Sequence, residues 1–263
     1  MRFLWKAILF FILTVIFTIL LGGLQQVCPY IPDWVILPQL APGMAAWLML
    51  GLFRDQKVIF KLSRVPIQLW KYLAALGIPL LLGGGLLAVY QFFIQSFELP
   101  PLQGTAFLIL VSWMLVGAFA EELGWRGYLQ PLLGTRLNGL LTSLIVGVLW
   151  GSWHIGNYQY GVVYMVFFLL STIAYSVFIT WLIRDAGWNV IFPWFFHLVV
   201  NLGYYVFTPV ISGTRFMILN GLVWIAAAAI LLLVRWPQFS AAPEPEPVGD
   251  PDPWNEVFTQ EDN

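Results

Sequence analysis

Eight stretches of the chain are almost uninterruptedly apolar, at residues 7 to 24, 34 to 53, 72 to 96, 105 to 123, 139 to 157, 160 to 183, 188 to 208 and 216 to 234. A helix needs about 20 predominantly apolar residues to cross the hydrocarbon of a bilayer. Only helices and closed barrels satisfy every backbone polar group in lipid, and runs this long and this apolar exclude a barrel. The pattern predicts an all-α, polytopic membrane protein with about eight transmembrane helices. Arg2 and Lys6 precede the first run as they would in a secretory signal. Its length, and the poor match of "LQQVC" to a lipoprotein cleavage site, predict an uncleaved helix instead.

Two polar stretches stand apart from the runs. "RDQKVIFKLSRVPIQLWK", residues 54 to 71, alternates basic and apolar positions, as a helix lying against lipid headgroups does. "SAAPEPEPVGDPDPWNEVFTQEDN" is rich in proline and acid and has too little apolar surface to fold alone. The expected organisation is a transmembrane domain over 1–239 and a disordered, acidic, proline-rich tail over 240–263.

Composition agrees: 60% of the 263 residues are hydrophobic, 10% are charged, and the mean hydropathy is +0.83. A soluble domain carries about 25% charge. The net charge of -1 conceals an asymmetry, because Glu244, Glu246, Asp250, Asp252, Glu256, Glu261 and Asp262 all lie in the tail and leave the body mildly basic. With the N-terminus inside and eight crossings, every Lys and Arg except Arg215 falls on or near the cytoplasmic side. Both termini are therefore expected to be cytoplasmic. A single cysteine, Cys28, excludes an internal disulfide and a multi-cysteine metal site.

Ionisable groups at membrane depth are rare and tend to mark function. Both histidines of the chain, His154 and His197, fall in predicted spans, and Glu121 and Glu122 are the only carboxylates that do. Residues four apart share a helix face, whereas neighbours point about 100° apart. In "EELGWR", Glu122 and Arg126 stack as an ion pair while Glu121 points elsewhere. With no basic partner on its own helix, Glu121 is the carboxylate that can take a proton from water and return it to a leaving group. In "HLVVN", His197 and Asn201 face the same way and offer two donors to a developing oxyanion. In "WGSWH", Trp150 sits one turn before His154, where an aromatic walls a pocket or holds the imidazole.

These three motifs, in this order, resemble the EExxxR, FxxxH and HxxxN signatures of the CPBP family of intramembrane proteases, also called the CAAX-protease or Abi family. The resemblance covers roughly residues 105 to 205, and Trp150 stands where the family usually has Phe. It implies that Glu121, with His154, activates a water for attack on a scissile amide. His197 and Asn201 would then stabilise the oxyanion, and Glu122 and Arg126 would support the motif. The implied partners are a membrane-embedded or lipidated peptide and the bilayer itself, with no nucleic acid. No cofactor is expected; were a zinc ion present, Glu121, His154 and His197 would supply three ligands and leave one position open.

A rival reading makes the Glu/His cluster a proton relay in a transporter, or a binding network in an immunity or scaffold protein. The absence of a repeat between the two halves of the sequence weighs against a transporter. One difficulty is geometric, since simple counting puts His154 near the outer end of the fifth span and Glu121 near the inner end of the fourth. The two come together if the fourth span continues through "ELGWRGYLQ" and breaks near Pro131, the nearest strong helix breaker. A tilted or re-entrant stretch over 131 to 145 would serve the same end.

Overall fold

A computed structural model describes residues 2–28, 30–31, 35–53, 69–184 and 189–242. Every regular element among them is helical. The order is α1 (Arg2–Val27), α2 (Ala41–Leu52), α3 (Leu69–Val89), α4 (Gly104–Gly124), α5 (Gln130–Gly134), α6 (Gly139–Trp153), α7 (Val162–Arg184), α8 (Ile191–Val206) and α9 (Thr214–Ser240). Short 3-10 turns precede α2 and follow α6, over Leu37–Leu40 and Ile155–Tyr160, and π-turns extend α3 and join α4 to α5.

Each of the eight apolar runs carries a helix among its described residues, but the helices are not equally long. Five have the length and composition to cross a membrane: Phe3–Val27, Leu69–Ile94, Gly104–Gly134, Val162–Arg184 and Thr214–Ser240. The other three, Leu37–Leu52, Gly139–Trp153 and Ile191–Val206, are shorter than a full crossing. Local chemistry limits them. Pro38 and Pro42 occupy the first turns of the 3-10 turn and of α2, where a missing N–H costs nothing. The Asn138 side chain caps the start of α6, accepting from the Leu141 N–H at 2.9 Å, and the helix ends where His154 leaves helical geometry at φ -72°, ψ 65°. The chain is an integral membrane protein, and Trp47, Phe92, Phe93 and Leu233 project from its surface as lipid-facing side chains do.

α7 is the axis of the bundle. Its apolar window is 61% buried, against at most 28% in the other four full-length spans. It packs on α6, α8 and α9. The α6 contact is backbone to backbone: a Cβ on Gly147 would lie 2.6 Å from Ile173 Cα, and Thr172 Oγ1 donates to the Gly147 carbonyl at 3.1 Å. Small residues four apart allow such an approach between membrane helices. α4 closes on α2 in the same way at Gly124, where a Cβ would come within 2.5 Å of the Pro42 backbone. The Trp194 indole N–H ties α8 to α4 through the Leu115 carbonyl at 2.8 Å.

Two sequence expectations change at the edges. The interfacial helix over 54 to 71 lies outside the described residues up to 68, and α3 already begins at Leu69. Lys71 belongs to that helix and is fully buried, its ammonium 5.4 Å from the Trp70 ring centroid and 6.0 Å from that of Phe192. Its aliphatic stem lets it pack where a lipid-headgroup contact was expected. The acidic tail lies outside the described residues from 243 onward, while α9 runs on to Ser240, past a kink at Arg235.

Candidate active site

The two glutamates sit near the middle of a continuous run of 31 residues, Gly104–Gly134. The helix continues through "ELGWRGYLQ", as favoured from the sequence, and ends at Gly134, three residues beyond Pro131. A π-turn over Trp125–Leu129 makes this continuation; the Gln130 N–H reaches back to the Trp125 carbonyl. Single π-turns inside α-helices recur at functional sites. Pro131 follows in the first turn of α5, where it needs no partner for its nitrogen. With the glutamates placed deep and α6 only 15 residues long, the two helices meet at the level of the site.

Glu121, Glu122 and Arg126 are all buried. The expected i, i+4 pair forms, with Arg126 Nη1 donating to Glu122 Oε1 at 2.8 Å. The same Oε1 accepts from His197 Nδ1, also at 2.8 Å. A carboxylate oxygen has two lone-pair sites, and here both are filled. One anion thereby fixes the guanidinium of its own helix and the imidazole of α8.

His197 turns its other nitrogen towards the second glutamate, with Nε2 3.9 Å from Glu121 Oε2 and beyond hydrogen-bond length. Glu121 Oε2 instead accepts from the indole Nε1–H of Trp150 at 3.0 Å. Trp150, expected to wall a pocket or hold the His154 imidazole, donates across helices to the first glutamate. Its ring lies 5.0 Å from that of His197 and 6.2 Å from that of His154, and the Arg126 guanidinium stacks over its face at 4.3 Å.

His154 joins the cluster through the backbone. It stands just past the end of α6, and its Nδ1 is 2.8 Å from the Trp150 carbonyl. A carbonyl only accepts, so Nδ1 carries the hydrogen and a neutral ring presents Nε2 as a proton acceptor. Trp153 and Phe168 pack edge-on against the imidazole, each at 5.0 Å. Asn201 follows His197 by one turn of α8, and its Nδ2 is enclosed and makes no hydrogen bond to any described group. The described residues thus bring Glu121, Glu122, Arg126, Trp150 and His197 into direct contact, with His154 attached through Trp150.

Among the described residues, no three or more His, Cys, Asp or Glu side chains gather closely enough to hold a metal ion. Glu121 Oε2 is held by an indole N–H, and Nδ1 of each histidine meets an oxygen of the protein, the arrangement that orients a histidine to act through Nε2.

A second polar cluster beside the site escaped the sequence reading. Asn220 of α9 donates to Ser171 Oγ at 2.8 Å and reaches the Tyr175 hydroxyl at 3.3 Å, while the Tyr175 and Tyr204 hydroxyls lie 3.1 Å apart. The Tyr175 ring lies 6.1 Å from that of Trp150. An asparagine inside the otherwise apolar "MILNGLVW" was the available signal, because an amide at membrane depth demands partners.

Comparison with known proteins bears on the same segment. Residues 103–203 match the family described as Type II CAAX prenyl endopeptidase Rce1-like. The chain is 30% identical over 139 residues to CAAX prenyl protease 2 of Methanococcus maripaludis, a match covering 49% of this chain and 51% of that protein. It is 29% identical over 206 residues to Lysostaphin resistance protein A of Staphylococcus aureus, covering 74% of this chain and 48% of the relative. The chain therefore spans about half the length of the curated relatives it matches. Residues 103–203, which carry all three motifs of the buried site, are thus similar to the CPBP, or CAAX-protease, family.

Proposed function

We propose that the chain is an intramembrane endopeptidase that hydrolyses a peptide bond of a membrane-embedded or lipidated substrate. One observation supports it above others. Motifs far apart in sequence, on α4, α6 and α8, deliver two carboxylates, an arginine and a histidine into one buried contact network. Mere helix association does not call for such a set, because polar contacts between membrane helices average below about 1 kcal/mol.

In the proposed reaction Glu121, assisted by the lone pair on His154 Nε2, takes a proton from water as its oxygen attacks the scissile carbonyl carbon. The carbonyl oxygen becomes an oxyanion, which accepts from Asn201 Nδ2 and from His197 Nε2 when that nitrogen carries a proton. Collapse of the tetrahedral intermediate breaks the C–N bond. Glu121 returns its proton to the departing nitrogen, leaving a carboxylic acid and an amine. Glu122 and Arg126 hold His197 and the helix in place, and no step is routed through a metal.

The decisive experiment compares the termini of membrane proteins from native cells that carry either the wild type or Glu121→Ala, at matched expression. Termini that vanish in the variant establish proteolysis and name the substrate. Identical sets of termini, with a cellular phenotype still lost, would instead favour a proton relay.

A further inference from the structure

We infer that Trp150 is a positioning residue for the general base: its indole N–H fixes one oxygen of Glu121 so that the other faces the water. This inference rests on the protease reading above and names a device within that same site.

The contact has one direction only. An indole N–H donates and never accepts, so the 3.0 Å contact between Trp150 Nε1 and Glu121 Oε2 is a bond from tryptophan to carboxylate. Both partners are buried, where such a bond is not diluted by competing water. Among the described residues Oε1 of Glu121 receives no hydrogen bond, which leaves it as the oxygen that takes the proton.

The indole is itself held on several sides. The Arg126 guanidinium covers one face with its Cζ 4.3 Å from the ring centroid, while Nη1 of the same arginine is anchored on Glu122. The His197 and Tyr175 rings pack against it at 5.0 and 6.1 Å. A cation over an indole face is attracted by the ring's quadrupole, so the plane of the donor is set by the same residue that holds Glu122. The backbone of Trp150 has a second task, because its carbonyl accepts from His154 Nδ1 at 2.8 Å. One residue thereby orients the carboxylate with its side chain and the imidazole with its main chain. Phenylalanine keeps an aromatic ring and the main-chain carbonyl and has no side-chain N–H. Replacing the side chain therefore isolates the carboxylate half of the device.

The test uses the full chain in proteoliposomes, with an internally quenched, farnesylated CAAX peptide as the probe. Trp150→Phe is compared with a sulfur isostere of tryptophan, benzothienylalanine, placed at 150 to keep the bicyclic shape without the N–H. The expected result for both is a fall in kcat of about ten- to a hundredfold, with KM within about twofold of wild type, as loss of a hydrogen bond to a charged group predicts. A kcat within about twofold of wild type for the isostere would overturn the inference. Glu121→Gln run beside them tests the protease reading separately, since that variant must be inactive whatever Trp150 does. Thermal melting supplies a readout that needs no substrate. Trp150→Phe should lower Tm in the wild-type background and by less than half as much beside Glu121→Leu, which removes the acceptor. Equal lowering in the two backgrounds would overturn the inference even if the probe is never cleaved.

Discussion

His197 Nδ1 meets Glu122 Oε1 at 2.8 Å, so the glutamate next to the proposed base decides which nitrogen of the proposed oxyanion donor faces the reaction. Glu122→Gln keeps an acceptor of the same shape but removes the charge that faces Arg126. The expected outcome is a partial loss, with kcat down about ten- to a hundredfold, against at least a thousandfold for Glu121→Gln. Cleavage rates of the two variants in the same vesicles check this. Equal losses would mean that the two glutamates do not divide the work as proposed.

Arg126 is fully buried and pairs with Glu122. Arg126→Met leaves that carboxylate in the protein interior without its cation, which costs about 3–5 kcal/mol for a buried pair broken on one side. Arg126→Lys restores the charge but not the planar stack on Trp150, and should recover part of the stability and little of the activity. Unfolding in detergent and cleavage in vesicles, measured on the same preparations, separate the two effects.

Asn201 Nδ2 makes no hydrogen bond to any described group, so its removal breaks no such bond among the described residues. Asn201→Ala should leave the melting temperature nearly unchanged while lowering kcat by about 10²–10³, the usual effect of deleting one oxyanion donor. A large drop in melting temperature with kcat intact would assign Asn201 to the fold.

Helix approach can be tested apart from chemistry. Gly147→Ala drives a Cβ against the Ile173 backbone, which cannot swing aside, so α6 must move off α7 and take Trp150 and His154 with it. A loss of about 1–3 kcal/mol, with activity falling further than stability explains, is expected. Gly84→Ala, whose Cβ would meet nothing within 4 Å, is the matched control and should behave as wild type.

A chelator addresses the metal question directly. With no step routed through zinc, 1,10-phenanthroline at millimolar concentration should leave the cleavage rate unchanged. Inhibition that is reversed by added Zn²⁺, and by no unrelated cation, would bring zinc into the mechanism.

Much of this site was legible because helical periodicity is a rigid rule: Glu122 and Arg126, four apart, had to share a face, and they do. The continuation of the fourth span past the glutamates followed from requiring Glu121 and His154 to reach the same depth. Distances between helices are not periodic, and there the reading stopped. Nothing in "WGSWH" shows that the Trp150 indole reaches across to α4, or that the chain leaves the helix at His154 and lets Nδ1 fold back on the Trp150 carbonyl. Lys71 misled for a related reason, since a lysine beside a basic-apolar stretch looks interfacial until the packing of its neighbours is known. The lengths of the three short helices were equally hidden, because hydropathy continues beyond their ends.

Those short helices set a condition on the surroundings. At 1.5 Å per residue, α6 with 15 residues and α8 with 16 reach at most about 24 Å, against about 30 Å of hydrocarbon in an ordinary bilayer. α6 exposes Leu141 and Val148, and lipids meeting a helix this short are expected to shorten, tilt or admit solvent, at a fraction of a kcal/mol for each ångström of mismatch. Acyl-chain length is thus expected to bear on α6, the helix that carries Trp150. The thickness of the host membrane should then act on the site's geometry before any substrate arrives, which cleavage rates in vesicles of graded acyl-chain length check.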